Sequence, residues 1–76
     1  MKAYQYTIIL HPDPQGGYAV SVPAFPEIAT QGETVEEAIA MAKDAIQLYL
    51  DFLKERGEPI PEERLHPRAV VVDVAA

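Results

Sequence analysis

The stretch Thr34–Arg56, TVEEAIAMAKDAIQLYLDFLKER, predicts one long amphipathic helix. Thr34 and Glu37 form a capping box, in which a hydroxyl and a carboxylate satisfy amide donors of the first turn. Gly57 can adopt the left-handed conformation that ends a helix, and Pro59 prevents its continuation. One apolar stripe follows the helix at spacings of four and three residues. The stripe consists of Val35, Ile39, Ala42, Ile46, Tyr49 and Leu53. At 1.5 Å per residue the helix is about 34 Å long, so the other segments are expected to pack against it.

Alternating apolar and polar residues predict strands on the N-terminal side of this helix. The first strand is expected at Tyr4–His11 and the second at Tyr18–Val22. The prolines and glycines of residues 11–17 are typical of a turn, so the two strands should form an antiparallel hairpin. Proline cannot donate to a strand ladder, and Pro23 and Pro26 should therefore end the second strand. A short third strand at Glu27–Gln31 would fill the space before the helix cap.

A proline-rich connection, Glu58–Arg68, follows the helix and leads to Ala69–Val74, which we predict as a fourth strand. Its valine run suits a strand covered on both faces, or an edge strand that pairs with another copy. The predicted order is therefore β-β-β-α-β. This order indicates an α+β fold, with a small and mostly antiparallel sheet and one long helix packed on one face.

The length and composition of the chain limit which functions are expected. We expect residues 1–76 to form a single small domain, and such a chain buries only about 60% of its unfolded surface. It has no cysteine for a disulfide, so self-association is the leading source of additional stability, and a cytoplasmic location is expected. The net charge of −6 disfavours direct nucleic-acid binding and favours a basic protein partner. No signal peptide or membrane-spanning run is expected.

Catalytic chemistry has little support in the sequence. Most acids of the helix share one polar sector about 100° wide, which is typical of a solvated face. Ser21, His11 and His66 lack the surroundings of a nucleophile elbow, and Gly16 and Gly17 form too short a loop to hold phosphates. We therefore expect no enzyme activity, no metal site and no cofactor.

A second apolar row flanks the main stripe of the helix. Met41, Leu48 and Phe52 are spaced seven and four residues apart, so they share one side of the helix. Together with the main stripe they widen the apolar arc to about 200°, more than a small sheet covers. Either this row is an interface between copies, or the connection folds back so that Ile60 and Leu65 bury it. The two alternatives are compatible if only part of the row is covered.

Two motifs carry a resemblance to a known family. The first motif is the glycine–glycine–tyrosine hairpin, whose second strand ends at Val22-Pro23. The second motif is the run Thr30–Ala38 (TQGETVEEA). Together they resemble the HicB-like antitoxins. The following helix and Ile60-Pro61 are also similar, so that the resemblance covers roughly residues 4–61. It implies a partial ribonuclease-H-like fold without ribonuclease activity. Family members typically neutralise a small basic HicA-type toxin, an mRNA-cleaving ribonuclease, and they usually form dimers or larger assemblies.

From this resemblance we expect an antitoxin or antitoxin-like domain, without the C-terminal DNA-binding domain that many members carry. The acidic surface would attract and contact the basic toxin. The residues expected to bind it are Glu36, Glu37, Asp44 and Asp51. The alternative is a stand-alone self-associating module with no toxin partner, and Met41, Leu48 and Phe52 would then form its oligomer interface. A small-ligand or enzymatic domain would require a closed pocket with converging polar groups.

Overall fold

The computed structural model describes residues 3–76 and has three strands followed by one long helix, which confirms the α+β class. The elements are β1 (Ile9–Pro12), β2 (Tyr18–Ser21), β3 (Ala29–Gly32) and α1 (Val35–Glu55). The strands form one antiparallel sheet in the order β1-β2-β3. The helix lies across one face of this sheet, where it contacts β3 most extensively and β2 less. The helix is not long and apolar enough to cross a membrane, and residues 3–76 contain no other candidate.

The ends of α1 form as the sequence predicts. The Thr34 hydroxyl accepts a hydrogen bond from the Glu37 amide at 3.0 Å, and the Glu37 carboxylate accepts one from the Glu33 amide at 2.8 Å. At the other end, Gly57 has φ of +70°. Its amide donates to the Lys54 carbonyl and the Glu58 amide donates to the Leu53 carbonyl, which together form a Schellman motif. Both capping predictions are confirmed.

The hairpin between β1 and β2 is also confirmed. Gly16 and Gly17 both have positive φ, and the Asp13 amide donates to the Gly17 carbonyl at 3.0 Å. The Asp13 carboxylate accepts a hydrogen bond from the Gln15 amide, which is an Asx-type turn. Turn chemistry therefore determines the register that pairs Leu10 with Val20.

The hydrophobic core lies between the sheet and α1. One cluster contains Val22, Phe25, Leu50 and Leu53, and a second contains Val20, Ala38 and Ala42. Phe25 packs between two tyrosines, with ring centroids 4.9 Å from Tyr6 and 5.1 Å from Tyr49. The second cluster is tight because Gly32 has no side chain: a Cβ there would lie 2.4 Å from the Ala38 nitrogen. The small residues let the start of α1 approach β3 closely.

The buried face of α1 is wider than the predicted stripe, because it includes one further residue on each side of it. Ala38 and Leu50 are buried although the stripe omits them, whereas Val35 and Ile39 are partly exposed. Ala38 is buried on one side of the stripe because Gly32 allows a close approach to the sheet, and Leu50 is buried on the other side in the core cluster of Phe25. The predicted stripe is thus wrong at Val35 and Ile39.

The first strand is shorter than predicted, since residues 4–8 are not part of a ladder. The register that pairs Ile9 with Ser21, continued by two residues, would place Thr7 opposite Pro23. Proline has no amide hydrogen and the chain turns there, so the ladder stops at Ile9. The third strand is shifted to Ala29–Gly32, where its partners in β2 lie.

The predicted fourth strand at Ala69–Val74 is wrong for this chain: these residues belong to no strand and are exposed. A valine-rich segment becomes a strand only when a second strand supplies hydrogen-bond partners. The connection reaches residues 6 and 7, where the Tyr6 hydroxyl donates to the Pro61 carbonyl at 2.6 Å. Residues 69–74 pair with neither edge strand of the sheet, β1 or β3.

Candidate partner-binding surface

One side of α1 exposes an apolar row of three residues, Met41, Leu48 and Phe52, which we call the helix row. Leu48 is 73% exposed, and Met41 and Phe52 are nearly half exposed. The connection does not cover this row: Ile60 packs into the core cluster on the other side, and Leu65 is exposed. The alternative in which the connection buries the row is therefore wrong.

The helix row is joined to the core through aromatic contacts. The Phe52 ring lies 6.3 Å from the Tyr49 ring, which in turn packs on buried Phe25. On its other side the Arg56 guanidinium lies 5.3 Å from the centre of the Phe52 ring, within the range of a cation–π contact. These neighbours hold Phe52 in place while leaving much of its surface accessible.

The four acids predicted as partner contacts are all exposed. Glu37, Asp44 and Asp51 are spaced seven residues apart, so at 100° per residue they stay on one side of α1. They form a line beside the helix row, about 40–80° around the helix from it. Glu36 lies farther around, on the side away from the row. The structure thus brings three of the four acids into one surface with the row.

These acids differ in how free their carboxylates are. The Glu37 carboxylate is engaged in the helix cap, and the Asp51 carboxylate accepts a hydrogen bond from the Gln47 side chain at 3.0 Å. Among residues 3–76, neither Glu36 nor Asp44 has a side-chain hydrogen-bond or ion-pair partner. Asp44 is therefore the member of the line whose charge is most available to a partner.

The opposite side of α1 borders a second feature, an open groove of about 920 Å³ between the helix and residues 3–10. Its wall is mainly apolar, and Lys43 and Lys54 lie on the helix side. This groove is not evident in the sequence, because it forms only where residues 3–10 and α1 come together in the fold. It has the size of a ligand site, but its polar groups do not converge as those of a small-molecule pocket do.

A carboxylate latch lies at the N-terminal end of β1. The Glu63 carboxylate accepts hydrogen bonds from the Thr7 amide at 3.0 Å and from the Thr7 hydroxyl at 2.6 Å. The His66 ring is its third partner. Burial alone would raise the pKa of Glu63, but the hydrogen bonds from His66 and Thr7 outweigh it and bring that pKa below its ordinary value. No local motif marks this contact in the sequence, because it joins residues 56 positions apart.

His11 and Ser21 are the nearest approach to catalytic geometry in the described chain. The His11 Nε2 lies 2.9 Å from the Ser21 Oγ on the exposed face of the sheet. The contact follows from the register, since Ile9 pairs with Ser21 and His11 pairs with Ala19, so the two side chains are diagonal neighbours. In residues 3–76 no carboxylate orients the His11 ring, and no group of three potential metal ligands is found. The pair is a cross-strand contact at the surface.

Comparison with known proteins places these features in a family context. Residues 6–70 match the family described as HicB_like antitoxin of bacterial toxin-antitoxin system. A UPF0150 protein of Thermoplasma acidophilum is 44% identical over 59 residues, which are 78% of this chain and 86% of that protein. A UPF0150 protein of Synechocystis is 39% identical over 64 residues, which are 84% of this chain and 81% of that protein.

Antitoxin HicB of Escherichia coli K12 is 51% identical over 57 residues. The matched region is 75% of this chain but only 41% of that antitoxin. The chain therefore corresponds to less than half of the named antitoxin and to most of the two UPF0150 proteins.

Proposed function

This chain belongs to the HicB-like antitoxin family, and on that premise we propose that it is an antitoxin or antitoxin-like domain. It neutralises a small basic HicA-type toxin that cleaves mRNA, by direct protein binding over the toxin's RNA-binding surface. The observation that carries the proposal is the family match over residues 6–70, which includes the whole of α1 and its cap. The proposed role is binding and not catalysis.

Electrostatic attraction supports this proposal. The chain has a net charge of −6, so its field attracts a basic protein and speeds their encounter. We assign the contact to Glu36, Glu37, Asp44 and Asp51, and Asp44 is the most available charge of the line beside the helix row. Each exposed ion pair contributes only about 0.2–1 kcal/mol, so these acids act mainly on the association rate. Apolar contacts then have to supply most of the affinity.

The test is co-expression with a small basic open reading frame from the neighbouring gene. We expect the chain to restore growth and to co-purify with that protein. Absence of both complex and rescue would refute the antitoxin assignment.

The acidic contact is tested separately with a double variant, Asp44→Asn with Asp51→Asn, which changes the net charge from −6 to −4. The matched control, Gln15→Lys with Ala19→Lys, reaches the same net charge at exposed positions of the hairpin. We expect the association rate at low salt to fall several-fold more for the first variant than for the control, because its charges are lost at the contact. Equal rates for the two variants would contradict the assignment of these acids while leaving the antitoxin role intact.

The second candidate function is a self-associating module without a toxin, favoured by the exposure of Met41, Leu48 and Phe52. In that case Leu48→Glu should lower the mass measured by light scattering, whereas Ala40→Glu, an exposed helix position away from the helix row, should not. A mass unaffected by Leu48→Glu would remove the row from the interface.

A further inference from the structure

A small open cleft of about 380 Å³ lies between the C-terminal part of α1, the turn after β2 and the start of the connection. Its lining combines apolar rings with two carboxylates, and we call it the proline cleft. The rings and carboxylates belong to Pro26, Pro59, Pro61, Tyr49, Glu27 and Glu58. The volume is at the small end of the range of about 300–1,000 Å³ for ligand sites, so the cleft suits a single side chain.

The walls of the proline cleft are held in place by the fold. The turn after β2 is closed by hydrogen bonds from the Phe25 amide to the Val22 carbonyl at 2.9 Å and from the Ile28 amide to the Phe25 carbonyl at 3.0 Å. On the side of the connection, the Pro61 carbonyl accepts a hydrogen bond from the Tyr6 hydroxyl at 2.6 Å. Proline has a fixed φ, so the cleft loses little conformational entropy when it is occupied.

The two carboxylates of the cleft lie near the Tyr49 hydroxyl. A hydrogen bond with Glu27, burial, and the negative charges of Glu27 and Glu58 together raise the pKa of Tyr49. Within residues 3–76, Glu27 has no cationic partner, and the only one of Glu58 is Arg56, whose Nε lies 3.6 Å from the Glu58 Oε1. This ion pair is exposed to solvent and is therefore weak, so Glu58 can accept a hydrogen bond from a second cation.

Arginine is the cation that matches this lining. Its guanidinium is planar and weakly hydrated, stacks on aromatic rings and donates several hydrogen bonds to carboxylates. The protein itself places a guanidinium in such surroundings beside the cleft. The guanidinium carbon of Arg56 lies 5.3 Å from the centre of the Phe52 ring, while Arg56 also pairs with Glu58. A lysine ammonium is a compact and strongly hydrated charge, which gains less from such rings.

The proline cleft borders the helix row on the side away from the line of acids. At 100° per residue, Tyr49 lies about 60–100° around α1 from the row, whereas Asp44 and Asp51 lie on the other side of it. The rings of Tyr49 and Phe52 are 6.3 Å apart and join the cleft to the row. A partner that covers the row therefore also reaches the cleft.

We propose that the proline cleft receives an arginine side chain of the protein partner, with the guanidinium stacked on Tyr49 and donating hydrogen bonds to Glu27 and Glu58. The identity of this partner as a basic toxin rests on the proposed function, whereas the preference for arginine rests on the cleft alone. Arginine in a well-packed pocket is a common hot-spot residue of protein interfaces. The cleft thus contributes to affinity, while the acids on the other side of the row act mainly on the association rate.

An NMR titration of the full chain tests the cleft without a partner. The probe is Nα-acetyl-arginine amide, and its matched control is Nα-acetyl-citrulline amide, which has a planar group of similar shape but no charge. We expect saturable shifts at the amides of Phe25, Glu27, Tyr49 and Glu58, with millimolar affinity for the arginine amide. The citrulline amide should bind at least about threefold more weakly, because it loses the ion pairs, and Nα-acetyl-lysine amide at least about twofold more weakly.

Two variants locate the binding site. Glu27→Gln removes one charge from the cleft, and Glu33→Gln removes the same charge from an exposed position at the other end of α1. Glu27→Gln should weaken binding of the arginine amide about two- to fivefold, and Glu33→Gln should weaken it by less than about 1.5-fold. The spectrum of each variant shows directly whether the fold is retained.

Equal binding of the arginine and citrulline amides, equal effects of the two variants, or shifts confined to the acids on the other side of the row would overturn the assignment of the cleft. Equal binding of the lysine amide would overturn the preference for arginine. In the complex obtained by co-expression, Glu27→Gln should raise the dissociation rate about two- to fivefold relative to Glu33→Gln. A complex that Glu27→Gln leaves unchanged would overturn the docking of a partner arginine. If no complex forms, the antitoxin role fails, and the titration alone decides whether the cleft binds arginine.

Discussion

Gly32→Ala is expected to destabilise the protein strongly, although alanine is the smallest possible addition. A Cβ at Gly32 would lie 2.4 Å from the Ala38 nitrogen, 2.6 Å from the Ala38 Cα and 2.9 Å from the Glu37 carbonyl carbon. All three are backbone atoms, so no side chain can rotate to relieve the overlap. The start of α1 would have to retreat by about 1 Å to restore ordinary van der Waals separation.

The expected magnitude follows from that retreat. Ala38 and Ala42 are both fully buried against the sheet, and their contacts would loosen together. Overpacking of this kind costs about 1–3 kcal/mol. The cost of Gly32→Ala should lie at the upper end of this range, because the overlapping atoms belong to the backbone. Alanine has less conformational entropy than glycine in the unfolded state, and this offsets about 0.4–1 kcal/mol of the destabilisation. The net loss is therefore about 2 kcal/mol, out of a total of about 4–11 kcal/mol for a domain of 76 residues.

Urea unfolding followed by far-ultraviolet circular dichroism measures this loss. Tm should fall by about 8–16 °C, and the urea midpoint by about 2 M if the m-value is near 1 kcal/mol/M. Protein concentration must be held constant, because self-association stabilises the folded state. The additional variant Ala38→Gly should not rescue Gly32→Ala, since it removes none of the three atoms that overlap. A neutral Gly32→Ala, or rescue by Ala38→Gly, would refute the close-approach explanation.

Three further predictions concern the cap, the core and the latch. Thr34→Ala should lower the free energy of unfolding by about 1 kcal/mol in urea titrations, because it leaves the Glu37 amide without its acceptor. Thr34→Ser keeps a hydroxyl at this position and should lose much less of this free energy. Equal losses for the two variants would contradict the cap. Phe25→Ala should lower the same free energy by about 3–5 kcal/mol, since Phe25 is buried between two tyrosine rings; a loss below about 1 kcal/mol would contradict this packing. Glu63 has a pKa below its ordinary 4.5 in the folded protein, so its contribution to stability is present above pH 4.5 and is lost as the pH falls through the lowered pKa. In thermal melts, the Tm of Glu63→Gln should therefore be lower than that of the unmodified protein near neutral pH, and the two Tm values should converge in acid. A constant difference in Tm across that pH range would contradict the latch.

The sequence was most informative where local chemistry determines local structure. The ends of α1 depend on the side chain of Thr34 and on the conformational freedom of Gly57, both adjacent to the turns that they close. The hairpin likewise depends on Gly16 and Gly17, whose positive φ values form the turn. Such features need no knowledge of the tertiary fold, and they were predicted to within a residue or two.

Features that depend on distant contacts were not predictable in this way. The length of β1 depends on Pro23 lying opposite Thr7, and the burial of Ala38 depends on the missing side chain of Gly32. The segment Ala69–Val74 has the composition of a strand but no partner in its own chain. For the candidate surface, helical spacing predicted the exposed positions of the acids and placed the helix row on one side of α1, but it left open whether the connection covers that row. The groove and the latch at Glu63 did not follow from helical spacing, because they arise only when both ends of the chain meet.

The latch between Glu63 and Thr7 also bears on colloidal behaviour. An unpaired amide at a sheet edge invites uncontrolled association with other chains, and at Thr7 the carboxylate occupies that amide. The isoelectric point is about 4.6, so the charge repulsion that keeps molecules apart vanishes near that pH. Loss of net charge at that pH makes precipitation between about pH 4 and 5 the expected result. Near neutral pH, a net charge of −6 and the occupied Thr7 amide both oppose such association.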